Sequence, residues 1–148
     1  MERDRRLRAP ASLSSLGDLS AFVASCLEEG GHEPRRVGEV GLCVEEALVN
    51  IASYAYPEGP GEVTVTCRET AEGDLVIEIE DEGIPFDVLA REDPDVRAGL
   101  DERQPGGLGI YLIKRLMDVV AYRREGGRNI LTLVVKAPPG RRSAGPGS

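Results

Sequence analysis

Leu42-Cys43-Val44-Glu45-Glu46-Ala47-Leu48-Val49-Asn50 is the stretch on which the fold of this chain turns. Val37, Val40, Val44, Ala47, Leu48 and Ile51 recur through it at helical spacing, which predicts an amphipathic helix with an apolar stripe. Glu39, Cys43, Glu46 and Asn50 fall on a different, mostly polar face. Glu46 and Asn50 stand at i and i+4, one turn apart on that face. A carboxylate and a carboxamide placed so can meet a metal ion, a water or a phosphate together. Taken alone, the pair also reads as a solvated helix face, since Glu and Asn are common on exposed helices.

Two later segments bear on that choice. Asp81-Glu82-Gly83-Ile84-Pro85-Phe86-Asp87 follows an alternating strand. It reads either as a strand-ending turn or as a base-recognition loop. In the second reading Asp81 accepts from an exocyclic amine such as that of adenine, Gly83 lets the base approach the backbone, and Pro85 and Phe86 shape an apolar wall. Gly106-Gly107-Leu108-Gly109-Ile110 directly precedes a helix. It reads as a flexible helix entry or as a phosphate cradle built from free backbone N–H groups at a helix N-terminus. No Gly-x-x-x-x-Gly-Lys-Ser/Thr sequence occurs, so a P-loop is excluded. The three signals in this order point to a nucleotide site far more specifically than any one does.

Working outward, Asp4–Ala9 predicts a short edge strand. A first helix starts near Ser15 and Asp18 and carries Leu16, Leu19, Phe22, Val23, Cys26 and Leu27 at helical spacing. Gly30-Gly31 ends it, and Pro34 opens the second helix in a first-turn position. That helix is stopped by Pro57-Glu58-Gly59-Pro60-Gly61. Glu62–Glu69 and Leu75–Asp81 alternate as strands. Residues 87–105 show no period and form a loop long enough to be functional or disordered, a moving lid being one option. A third helix is expected from about Gly107 to Val119, with Ile110, Ile113, Leu116, Met117 and Val120 facing inward. Closing strands follow near Val119–Arg124 and Asn129–Val135, and residues 138–148 read as a disordered Pro/Gly/Arg/Ser tail. This order predicts an α+β fold, a two-layer sandwich whose mixed or antiparallel sheet is covered on one face by three helices. Residues 1–137 are expected to form a single domain.

Composition agrees. The 148 residues carry 41% hydrophobic and 30% charged side chains, ordinary for a soluble globular domain. No apolar run or signal-peptide pattern directs the chain to a membrane or out of the cell, so a cytoplasmic location is expected. The net charge of −8 is uneven: residues 1–8 contribute +2 and residues 136–148 contribute +3, which leaves −13 on residues 9–135. Such a core repels phosphate backbones and disfavours nucleic acid as a partner; it reads first as a device for solubility, with a basic partner surface as the alternative. Cys26, Cys43 and Cys67 lack metal-ligand spacing and read as buried free thiols. His32 is the one histidine, which leaves little support for a histidine-based zinc site or a Ser-His-Asp triad.

On these residues the chain resembles the Bergerat-fold ATPases, the superfamily that includes histidine kinases and DNA gyrase. Within it the chain looks like the bacterial anti-sigma regulatory factors with serine/threonine protein kinase activity. Glu-Ala-Leu-Val-Asn (46–50) resembles the N box, residues 81–87 the first glycine box and residues 106–110 the second. The resemblance spans about residues 4–136 and includes Leu116-Met117-Asp118. It implies Glu46 as general base, Asn50 as the Mg²⁺ ligand and Asp81 as adenine selector. It further implies that Gly83, Ile84, Gly106, Gly107, Leu108 and Gly109 lie against ATP. Residues 87–105 would be the ATP lid, from which Arg103 would reach the γ-phosphate. The sequence departs from the family at Pro85, where many members have a second glycine, and at Arg128-Asn129, where Gly-Thr is often seen.

The function the resemblance implies is an ATP-dependent serine kinase that phosphorylates a STAS-domain anti-anti-sigma factor and also binds a sigma factor. A homodimer is expected too, with the N-terminal strand and first helix as its interface. The alternative is an ATP-gated binding module of the same fold without kinase turnover. A histidine kinase catalytic domain fits less well, because His32 falls in a short interhelical loop.

Overall fold

The computed structural model describes residues 3–87 and 107–140. Among the described residues five strands form one sheet: β1 (Arg3–Pro10), β2 (Glu62–Glu69), β3 (Leu75–Asp81), β4 (Val119–Glu125) and β5 (Arg128–Val135). Their order is β1-β2-β3-β5-β4 and every neighbouring pair is antiparallel, so of the mixed and antiparallel forms expected the second is the one built. Three helices, α1 (Leu16–Glu29), α2 (Pro34–Asn50) and α3 (Gly107–Leu116), supply the second layer, with α2 packed between the other two.

The strands owe their two faces to strict alternation. Val63, Val65 and Cys67 of β2 pair with Asp81, Ile79 and Ile77 of β3, and the same face continues into Asn129, Leu131 and Leu133 of β5. All of these are buried. Against them pack Leu19, Val23 and Leu27 of α1, Val40, Val44, Ala47 and Leu48 of α2, and Ile110 and Ile113 of α3. Burying each large aliphatic side chain contributes about 1.5–3 kcal/mol, so this layer contact is the main source of stability. The opposite face carries polar rows, with ion pairs from Arg123 to Glu78 (3.4 Å) and from Arg128 to Glu80 (3.1 Å).

Helix ends follow local chemistry, with some departures from the sequence reading. Gly31 adopts φ 84°, the left-handed conformation that terminates α1. Ser15 occupies the N-cap position of α1 but makes no side-chain cap bond; a 3₁₀ turn over Leu13–Ser15 leads in instead. The expected third helix ends at Leu116 rather than Val119, because Val119 already pairs with Val134 in the sheet. Arg36 closes that end: its Nη1 donates to the Leu116 carbonyl (2.7 Å) and its Nη2 to Asp118 Oδ2 (3.1 Å). The α2 face bearing Cys43 is also less solvated than its composition indicates, since Cys43 is fully buried and its thiol donates to the Leu112 carbonyl of α3 (3.9 Å). All three cysteines are buried and outside any disulfide. The expected lid, apart from Asp87, and tail residues 141–148 lie outside the described residues.

Candidate functional site

The antiparallel pairing of β3 with β5 sets the end of one strand against the start of the other, so Asp81 faces Asn129. Both side chains point to the helical layer and both are 5% exposed. The C-terminal end of α2 arrives over them. There the helix widens into a π turn, Ile51–Ala55, before Tyr56; such widened turns are frequent at functional sites. Ala47, Asn50, Ile51, Ala55, Ile79, Asp81, Phe86, Tyr122, Asn129 and Leu131 together line a narrow cavity of about 20 Å³. At that size the cavity has room for about one water, so a planar ligand would have to widen it; its mostly apolar lining with a few fixed polar groups is the kind that reads such a ligand.

Two of those polar groups are Asn50 and Asp81. Asn50 is 1% exposed, and its Nδ2 donates to the Glu46 backbone carbonyl (2.9 Å). Its Oδ1 is buried without a hydrogen-bond partner among the described residues. A buried carbonyl oxygen left unpaired costs about 1–3 kcal/mol, which a bound ligand would offset. Asp81 Oδ1 accepts from the Gly83 N–H and from Asn129 Nδ2, both at 2.9 Å. Burial holds the Asp81 carboxyl above the usual Asp range, while these two donors and Arg124 pull it back down. A carboxylate so placed has its second oxygen left for a ligand donor.

Glu46 sits one turn before Asn50, half-buried, and its carboxylate makes no hydrogen bond or ion pair among the described residues. Gly83 is buried, and a Cβ added there would overlap the Ala55 carbonyl oxygen and stand 2.6 Å from the Ala55 Cβ. The close approach that requires glycine is therefore to the π turn of the protein itself, and the Ile84 N–H donates to the Ala55 carbonyl (2.9 Å) beside it. Gly83 and the half-exposed Ile84 border an adjoining open groove with Pro57, Pro60, Pro85 and Arg124. Gly107, Leu108 and Gly109 form the first turn of α3 as described. Arg103 and Gly106 lie outside the described residues.

Sequence reasoning missed Tyr122 as a site residue and treated Asn129 only as a departure. Phe86 was anticipated as a wall, and it stacks on Tyr54 with ring centroids 5.9 Å apart. Tyr122 lies on the helical side of β4 opposite Leu131, a position that strand alternation could have given once the register was known.

An antiparallel sheet whose helical face opens into such a cavity, with a lone carboxylate at its floor, is the arrangement of a histidine kinase-like ATPase. The histidine kinase-like ATPase domain family matches residues 9–135, and the chain belongs to it. The chain is similar to the serine/threonine-protein kinase BtrW of Bordetella bronchiseptica, 36% identical over 99 residues that span 66% of this chain and 69% of that protein. It is also similar to the serine-protein kinase RsbW of Bacillus cereus, 27% identical over 137 residues covering 88% of this chain and 85% of that one. Among solved structures, the RsbU and RsbW domains of a Mycobacterium tuberculosis protein match with TM-score 0.63 and 14% identity, over 90% of this chain and 32% of that chain. At that identity the likeness is one of fold.

Proposed function

We propose that this chain is an ATP-dependent serine/threonine kinase acting as an anti-sigma factor, which binds a sigma factor and phosphorylates a STAS-domain anti-anti-sigma factor. The observation that carries the reading is the unpaired, buried Asn50 Oδ1, which shares one cavity with the Asp81 carboxylate and lies one helical turn beyond Glu46. Kinases of related sequence, BtrW and RsbW, support the activity. No helix among the described residues is long and apolar enough to cross a membrane, in keeping with a cytoplasmic role. Strand β1 lies at the sheet edge, which suits the homodimer interface assigned to β1 and α1.

The roles follow from the donor set. Asp81 takes the adenine amine on its free oxygen while Ile79, Leu131, Phe86 and Ile51 exclude water from the base. The first N–H groups of α3, at Gly107, Leu108 and Gly109, face the phosphates. The Asn50 carboxamide is a hard oxygen ligand that fits Mg²⁺, an ion that keeps most of its waters and needs few protein ligands. Bound with the nucleotide, Mg²⁺ neutralises phosphate charge. Glu46 accepts the proton of the substrate serine hydroxyl as Oγ bonds to the γ-phosphorus and the bond to the β-phosphate oxygen breaks. Arg103 is assigned to the γ-phosphate.

Incubation with Mg-ATP and the cognate STAS protein, followed by intact-mass measurement, is expected to show one phosphoserine. Glu46→Gln should bind ATP as tightly and form at least about a hundredfold less product. Absence of phosphoserine in a partner confirmed to be bound would sink the kinase reading.

A further inference from the structure

Asn129 makes four hydrogen bonds at the end of the cavity. Its Nδ2 donates to Asp81 Oδ1 (2.9 Å) and to the Ile84 carbonyl (2.8 Å). Its Oδ1 accepts from the Tyr122 hydroxyl (2.6 Å) and from the Phe86 N–H (3.3 Å). The carboxamide is thus used to its full ordinary capacity on one strand, one sheet neighbour and one loop. Its orientation is fixed by those partners: a flipped amide would set its NH₂ against the Phe86 N–H.

We propose that Asn129, oriented by Tyr122, is the positioning residue that makes the site selective for adenine over guanine. The inference rests on the ATP-binding reading above and adds the residue that gives it base specificity. Asp81 Oδ1 is saturated by Asn129 and the Gly83 N–H, so the carboxylate cannot turn, and Oδ2 is the oxygen presented to the ligand. An ionised carboxylate offers acceptors only. It receives the N6 amine of adenine, whereas guanine turns an O6 acceptor to the same place, acceptor against acceptor. The same Asn129 holds Ile84 and Phe86 by their backbones, so the loop after β3 and the Phe86 wall are set by the group that aims the carboxylate. Without Asn129, Asp81 would lose a donor that favours its charged form, and the neutral acid can rotate and offer a hydroxyl to guanine.

The test is isothermal titration of the full chain with Mg-ATP and with Mg-GTP. Wild type should prefer ATP. In Asn129→Ala, ATP affinity should fall about tenfold or more, the scale of a hydrogen bond to a charged group, with GTP affinity changing less than about threefold. Tyr122→Phe should narrow the ATP-over-GTP ratio about threefold, and in the Asn129→Ala background it should add nothing. A role confined to folding would lower the melting temperature and weaken both nucleotides alike. Unchanged selectivity in folded Asn129→Ala overturns the proposal; if that variant does not fold, unchanged selectivity in Tyr122→Phe does. A wild-type chain that binds neither nucleotide overturns the ATP reading itself, whereas one that binds both equally overturns only the selectivity claim.

Discussion

Asp81→Asn separates what the carboxylate does for binding from what it costs the fold. The Asn129 Nδ2 and Gly83 N–H donors, both 2.9 Å from Oδ1, fix the substituted amide with its carbonyl oxygen in the same place. The NH₂ then stands where Oδ2 stood, and an acceptor facing the cavity becomes a donor. A hydrogen bond to an ionised acceptor contributes about 1.5–3 kcal/mol, so ATP affinity should fall roughly 10- to 150-fold, while GTP, with its O6 acceptor, should bind no worse. Stability should move the other way. The folded state raises the Asp81 pKa, chiefly through burial, so the contribution of this group is fully present below the unfolded value of about 3.9 and is lost as pH rises through the folded value. At neutral pH the ligand-free variant should therefore melt no lower than wild type, and any advantage should shrink as the pH is lowered toward 4. Calorimetric titration with both nucleotides and melting curves at several pH values give the answer. An Asp81→Asn chain that keeps wild-type ATP affinity would refute the role of Asp81, and one that melts well below wild type at neutral pH would refute the burial argument.

Two further outcomes are expected. Gly83→Ala should lower stability by about 1–3 kcal/mol, because the obstacle is the Ala55 backbone and cannot rotate away; Gly38→Ala, in an open part of α2, should instead raise stability by about 0.5–1 kcal/mol. Thermal melts of the two variants beside wild type check both signs. Thiol titration at mild alkaline pH should find all three cysteines slow in the native chain and fast in urea: burial pushes the Cys43 thiol up to about 11, and a side-chain bond to Cys26 followed by burial raises Cys67.

The fold was legible where one periodicity dominated. Alternation in β2 and β3 marked both strands at their true bounds, and the apolar stripe of α2 named the side that meets the sheet. The place where α3 ends was not legible, because it depends on Arg36, eighty positions away from the Leu116 carbonyl it caps. The π turn left no signal either; Ile51–Ala55 has the composition of ordinary helix, and its widened form serves the packing of Gly83. At the site, Asn50 and Asp81 were readable as candidates from their motifs, and both line the cavity. Asn129 and Tyr122 were not, since their value comes from bonds across the sheet that only a register can reveal.

The strand order has a consequence for how the chain matures. Among the described strands β5 comes last in sequence yet takes an interior place, between β3 and β4. Asp81 leaves the ribosome 48 residues ahead of Asn129, so a growing chain carries the floor of the cavity long before its clamp. Pairings of such long range close late, after the loop entropy between them has been overcome. The nucleotide can then recognise only a completed sheet, and its binding free energy is added at the final docking step rather than to any earlier intermediate. In such a molecule the ligand acts as a check on assembly: a chain that has not seated β5 has no pocket in which to hold it.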